Sequence, residues 1–173
     1  PYTVSDPDVI PLNYADVFGY IYDLSQDKDM PINKKEVEAG HAAAGLVHDL
    51  FAVSLRDEEY GVDYTVDITD IEVPSHNYFY EMEPSDYGDD QPKGPPIQVH
   101  GEIRQTGSDL DEPIKRGSFH VSISSNGSAF IHYVGVAADM RGNGLGTVTF
   151  RHWEDQLHRA GFQSMALDAT SEG

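Results

Sequence analysis

The sequence predicts an α+β domain: a mixed, largely antiparallel central sheet with one parallel crossover, flanked by helices. Three observations carry this. Two stretches of helical apolar periodicity stand near the N-terminus, ahead of any clear strand. From Val62 to Val136 the pattern changes to alternation, punctuated by hairpin signals. A strand, a glycine-rich turn, a helix and a further strand then follow one another, the order a parallel crossover requires.

Taken in order, residues 1–32 give a lead-in and a short helix. Three prolines in the first twelve positions suit an extended chain. Asn13 fits an N-cap, and Val17, Tyr20, Ile21 and Leu24 then fall on one side of a helix from Asn13 to Leu24. Residues 33–60 hold a longer helix, opened by the capping-box-like pair Asn33 and Glu36 and running to about Leu55. Val37, Ala44, Val47, Phe51 and Leu55 line its buried side. His41 and His48 on this helix are too far apart to share a metal without ligands from elsewhere, and read as surface histidines.

Residues 62–136 are mainly antiparallel strands with an insertion at 74–96. Val62, Tyr64, Val66 and Ile68 alternate with Asp63, Thr65, Asp67 and Thr69, giving a half-buried strand with an acidic outer face. Asp63, Asp67, Asp70 and Glu72 match no calcium loop, which favours a solvated face. The insertion is aromatic at first, then acidic and broken by Gly and Pro, too long for a plain turn. Ile97 to Thr106 and Gly117 to Ser124 are strands, and Ser125-Asn126-Gly127 is a hairpin connection because Asn-Gly takes positive φ readily.

Composition narrows the function. Thirty acidic residues against eleven basic ones give a formal charge of −19, spread along the whole chain. Ten tyrosines, seven phenylalanines and a tryptophan argue for a folded protein rather than an acidic tail. Such charge is a lever used by halophiles, so the chain reads as the product of a halophilic organism or its virus, in the cytoplasm or in the virion; an ordinary acidic domain is the plainer alternative. No basic cluster exceeds a pair such as Lys115-Arg116, which speaks against nucleic acid. The absence of cysteine excludes disulfides, zinc-thiolate sites and a thiol nucleophile. No apolar run approaches the ~20 residues of a membrane helix, and no secretory signal is visible.

Residues 137–170 carry the turn, helix and last strand. The apolar run Ala129 to Val136 leads through Ala137–Met140 into Arg141-Gly142-Asn143-Gly144-Leu145-Gly146. Phe150, Trp153, Leu157 and Ala160 then share a helix face, and Gly161 stands where a C′ glycine belongs. Three glycines in five residues let the backbone approach a ligand, and their N–H groups with the positive helix end suit a phosphate or pyrophosphate. No Lys-Ser/Thr follows, which removes a nucleotide-triphosphatase loop, and the spacing is not that of a dinucleotide fold.

Arg141-x-x-Gly144-x-Gly146, five residues after Val136, resembles the Gln/Arg-x-x-Gly-x-Gly/Ala signature of the GNAT superfamily of N-acetyltransferases. The helix ending in Arg159-Ala160-Gly161-Phe162 and the strand from Ser164 to Ala169 continue as that family continues. The resemblance implies acetyl-CoA (acyl-CoA) as cofactor and a small-molecule or protein amine as acceptor. The pyrophosphate would lie on the backbone of Arg141, Gly142, Asn143, Gly144, Leu145, Gly146 and Thr147, and the pantetheine arm would pair with Val134, Gly135 and Val136. Arg141 and Arg151 would offset the repulsive field of the acidic chain. Candidate catalytic residues are Glu102, His120 and His132 as bases, with Tyr133 beside them; on a regular strand Tyr133 would face away from His132. His100, His120 and His132 could also gather as a metal site or stand as ordinary half-buried histidines; alternation alone does not place three strands' histidines on one face, and no metal is assigned. The family continues past its fifth strand with a helix and two strands that wall the acceptor site, whereas this chain stops at Ser171-Glu172-Gly173. That leaves three further expectations: a non-catalytic structural or interaction protein on the same scaffold, a homo- or hetero-oligomer that completes the missing side, or a chain trimmed of that part.

Overall fold

The computed structural model describes residues 1–5, 8–73 and 96–167. Strands β1 (Tyr2–Val4), β2 (Val53–Asp57), β3 (Val62–Glu72), β4 (Ile97–Thr106), β5 (Ile114–Ile123), β6 (Ser128–Val136) and β7 (Ser164–Leu167) form one sheet in chain order. Every neighbouring pair is antiparallel except β6 and β7. Helices α1 (Tyr14–Gln26) and α2 (Ile32–Phe51) lie between β1 and β2 in the chain, and α3 (Leu145–Arg159) is the crossover between the two parallel strands. The molecule is therefore α+β, with the largely antiparallel sheet and single crossover that its patterning predicts.

Alternation decides which face of the sheet is dry. On β4, Ile97, Val99, Gly101 and Ile103 are buried, while Gln98, His100, Glu102 and Arg104 stay partly open between them. Phe119, Val121, Ala129 and Ile131 continue the dry face across β5 and β6. Both α2 and α3 cover it. Trp153 of α3 is fully buried, edge-on to Phe51 of α2 with ring centroids 5.5 Å apart and to Phe119 of β5 at 4.8 Å. Its indole N–H donates to the Phe51 carbonyl at 3.0 Å, and Gln156 Nε2 donates to the Asp49 carbonyl at 2.9 Å. These two bonds cap the carbonyl end of α2 with side chains from α3, whose stripe of Trp153, Leu157 and Ala160 is as predicted. Gly101 has no side chain because a Cβ there would overlap the Phe119 ring and the Asp67 carbonyl.

Asn13 caps α1, its Oδ1 accepting from the Ala15 amide at 2.9 Å. Gly127 turns the β5–β6 hairpin at φ +86°, and Gly161 follows α3 at φ +92°. Elsewhere the elements differ from expectation. The second helix starts after Pro31 with no side-chain cap, so Asn33 lies inside the first turn and forms no capping box. It also ends at Phe51; Leu55 is buried, but as part of β2. Phe51 and Leu55 are four apart and fit helical spacing, yet pairing of Val53–Asp57 with Val62–Val66 wins. Val47 and Phe51 are buried as expected, but Val37 is 56 % exposed and Ala44 only partly covered; Ala39, Ala43, Leu46 and Leu50 complete the stripe. Within the proline-bearing lead-in, Tyr2–Val4 adds an edge strand to β2. The 74–95 part of the insertion, and the last strand beyond Leu167, lie outside the described residues.

A hollow of about 350 Å³ opens beside α2 and α3, lined in part by His48, Asp49, Thr65, His152 and Gln156, with none of the predicted site residues in its wall. Burial pushes the His152 pKa below its ordinary value, with Asp155 opposing and Arg159 adding to the shift. A histidine depressed in the folded state binds its proton more readily when unfolded. Its contribution is therefore present above the unfolded pKa of about 6.5 and is lost as pH falls through the lower folded value. Urea midpoints at constant salt are expected to fall between pH 8 and pH 5, and His152→Gln to reduce that fall; equal pH sensitivity in the two proteins would contradict the assignment.

Candidate functional site

From the end of β6, one 3₁₀ turn (Ala138–Met140) leads into the glycine stretch. Gly142 and Gly144 take φ of +86° and +87°, a region that costs other residues strain, and Gly144 is the N-cap of α3. Three of the amides expected to face a pyrophosphate are engaged within the fold. Arg141 donates to the Ala138 carbonyl and Asn143 to the Met140 carbonyl, both at 3.4 Å, while the Leu145 amide donates to Asn143 Oδ1 at 3.0 Å. The amides of Gly142, Gly144, Gly146 and Thr147 have no acceptor among the described residues. The donor set is thus four amides at the positive end of a fifteen-residue helix rather than seven. Arg141 and Arg151 are exposed and form no ion pair among the described residues.

Two residues the sequence did not single out lie close by. The Tyr2 ring is 3.8 Å from where a Gly144 Cβ would stand, and the Tyr2 hydroxyl is buried without a partner among the described residues. Burial, then Tyr64 and Asp57, push its pKa up to about 12, so it is a neutral donor. Arg116 donates to Gln105 Oε1 at 2.9 Å and reaches Asp139 of the 3₁₀ turn at 3.4 Å. It is the extra residue at the irregularity between the Ile103–Gly117 and Arg104–Lys115 pairs, which no count along β5 alone would show.

Before the turn, one edge of β6 lacks a neighbouring strand among the described residues. Strand β7 pairs only with Ser128–Ile131, so Tyr133–Val136 has no strand on that side among the described residues. The Ala137 amide donates to the Arg116 carbonyl at 2.7 Å, which sets the alternation: Tyr133, Gly135 and Ala137 bond toward β5, and Val134 and Val136 point N–H and C=O at the open edge. Of the three residues expected to pair with a pantetheine arm, Gly135 therefore faces the other way.

A β-bulge marks where that edge begins. His120 is opposite Tyr133 and Val121 opposite Ile131, which leaves His132 as the extra residue. The bulge puts both His132 and Tyr133 on the wet face with His120, contrary to the regular alternation expected of the strand. There the rings of His100, His120 and His132 form a stack, with centroids 4.2 and 4.1 Å apart and planes tilted by 14° and 15°. Tyr133 stands edge-on to His120 at 6.2 Å, and Phe130 closes against His132 at 4.7 Å. His120 Nε2 is 2.7 Å from Gln98 Oε1, and His132 Nε2 is 3.1 Å from Ser122 Oγ. Burial, then His132 and His100, lower the His120 pKa against a weaker opposing pull from Glu72. Stacked rings hold their lone pairs in parallel planes, so the three histidines do not converge on one ion. Glu102 is elsewhere, accepting from Arg104 Nε at 2.8 Å with Lys115 at 3.8 Å. The structure thus brings His120, His132 and Tyr133 together and leaves Glu102 in a surface ion-pair network.

The chain matches no known family of proteins and no curated protein. Among the described residues, no helix is long and apolar enough to cross a membrane.

Proposed function

We propose that the protein is a GNAT-type, acyl-CoA-dependent N-acyltransferase, most simply an acetyl transferase, with His120 as its base. The observation that carries this reading is continuity. The four unengaged amides, the open edge at Val136 and Val134, and His132 and Tyr133 at the bulge follow one another along β6 and the turn after it, with His120 supplied by the neighbouring β5. An extended, amide-bearing ligand with a diphosphate at one end fits that track: Gly142, Gly144, Gly146 and Thr147 would hold the diphosphate, and Val134 and Val136 would bond the arm as a strand would. The unpartnered Tyr2 hydroxyl beside Gly144 is a further donor in want of an acceptor.

When bound, acyl-CoA supplies an acyl group activated as a thioester. The chain's own part is to position the amine and manage one proton. His120 is held by Gln98 through Nε2, leaving Nδ1 to accept the proton the amine loses as its C–N bond forms. Tyr133, edge-on to His120, is placed to return a proton to the departing sulfur. Burial, and then the flanking rings, disfavour charge on His120, which favours the neutral form a base requires. On composition, the setting is the cytoplasm of a halophile or a virion of its virus, where concentrated salt would screen the −19 charge from an anionic ligand.

Calorimetric titration with coenzyme A in molar potassium chloride tests this directly. One equivalent should bind per chain. Arg141→Glu, at an exposed residue, should weaken binding while leaving the fold intact, and Arg141→Glu with Gly144→Val should abolish it. Absence of binding to the native chain, or equal affinity in both variants, would return the protein to a non-catalytic interaction scaffold.

A further inference from the structure

We infer that Asp70, Glu72 and His100 form a site for one divalent first-row transition cation, on the face of the sheet opposite the helices. Each offers one ligand atom, and the three atoms lie within 4.8 Å of one another. The sheet fixes the arrangement. Asp70 is opposite His100 across β3 and β4, and Glu72, opposite Gln98, is the next residue on the same face. A bulge produces this register. Ile68 pairs with Gly101, so an uninterrupted ladder would set Thr69 against His100; the irregularity between Ile68 and Asp70 substitutes a carboxylate for a hydroxyl at that place.

Two carboxylates on an exposed strand would be ordinary solvated surface. The imidazole in register with them changes the donor chemistry, because one nitrogen and two carboxylate oxygens suit zinc, cobalt or manganese better than all-oxygen calcium. His100 is also restrained, its ring stacked on His120 at 4.2 Å. The neighbouring acids already have cationic partners: Asp63 has Arg56, Asp67 has Arg104, and Glu102 has Arg104 and Lys115. Asp70 and Glu72 have no cationic side chain within ion-pair distance among the described residues. A dication would cancel their two charges in a chain that carries a large negative excess. Three protein ligands would leave it an open position for water. This inference stands independently of the transferase reading.

The test is a titration of the full chain with Co²⁺ in molar potassium chloride, which screens diffuse carboxylate binding, read by calorimetry and by imidazole NMR signals. One equivalent should bind, broadening His100 and then His120 ahead of His41, His48 and His158. Zn²⁺ should displace it, and an equal concentration of Ca²⁺ should not. Asp70→Asn and His100→Gln should each weaken binding by at least about tenfold with circular dichroism unchanged, whereas His132→Gln should leave it unaltered. No saturable binding, or affinity that survives both ligand substitutions, would overturn the site. So would loss of binding in His132→Gln, which would give the ion to the histidine stack instead.

Discussion

His120→Gln is expected to slow acyl transfer by about 10²–10⁴-fold without changing the affinity for coenzyme A. Glutamine keeps a polar group of similar reach, but it cannot accept a proton from an amine. Coenzyme A is expected to lie along the other side of the bulge, on the edge at Val134 and Val136, so its binding should not sense position 120. The pH profile separates a base from a spacer. The native rate should fall as pH drops below the depressed pKa of His120, and that limb should vanish in the variant. His132→Gln removes one ring of the stack, but its Nε2 already engages Ser122, so a smaller loss is expected. Equal rates for native and His120→Gln protein, measured with saturating acetyl-CoA and a panel of primary amines, would transfer the role elsewhere.

Trp153→Ala is expected to destabilise the fold by about 3–5 kcal/mol, the range for removing a large aromatic from a core. That is a large part of the ~5–15 kcal/mol typical of a domain. The side chain is wholly buried, fills the space between α2 and β5, and satisfies the Phe51 carbonyl. Alanine would leave a cavity and an unpaired carbonyl together. Trp153→Phe keeps a six-membered ring but loses the five-membered ring that carries the donor, so about 1–3 kcal/mol is expected from the orphaned acceptor, with a smaller cavity term than alanine leaves. The measurement is urea unfolding at fixed salt followed by circular dichroism, since the chain has a single tryptophan and the variants lose its fluorescence. A cost below that of the phenylalanine variant would mean the site collapses around the gap.

The legible parts of this chain were those written along one segment. Trp153, Leu157 and Ala160 recur at helical spacing, and Val99, Gly101 and Ile103 alternate, so α3 and β4 could be read without a partner. The illegible parts are relations between segments. Strands β1 and β2, three and five residues long, exist because each has a neighbour to bond to. The bulges at His132 and before Asp70 are a difference in count between facing strands, and no single strand records a difference. They decide the candidate site. One turns Tyr133 onto the face of His132, and the other sets a carboxylate beside His100. The engagement of Arg141, Asn143 and Leu145 amides within the turn was hidden for the same reason: the motif names residues, and hydrogen bonding distributes donors.

Among the described residues, helices cover one side of this sheet, and the histidines, acids and tyrosine are borne on the other. Cohesion and the proposed chemistry are therefore divided between opposite surfaces of the same strands. Evolution, or a protein engineer, can rewrite alternate residues on β3 to β6 to try new reactants while the interleaved residues go on holding the body together.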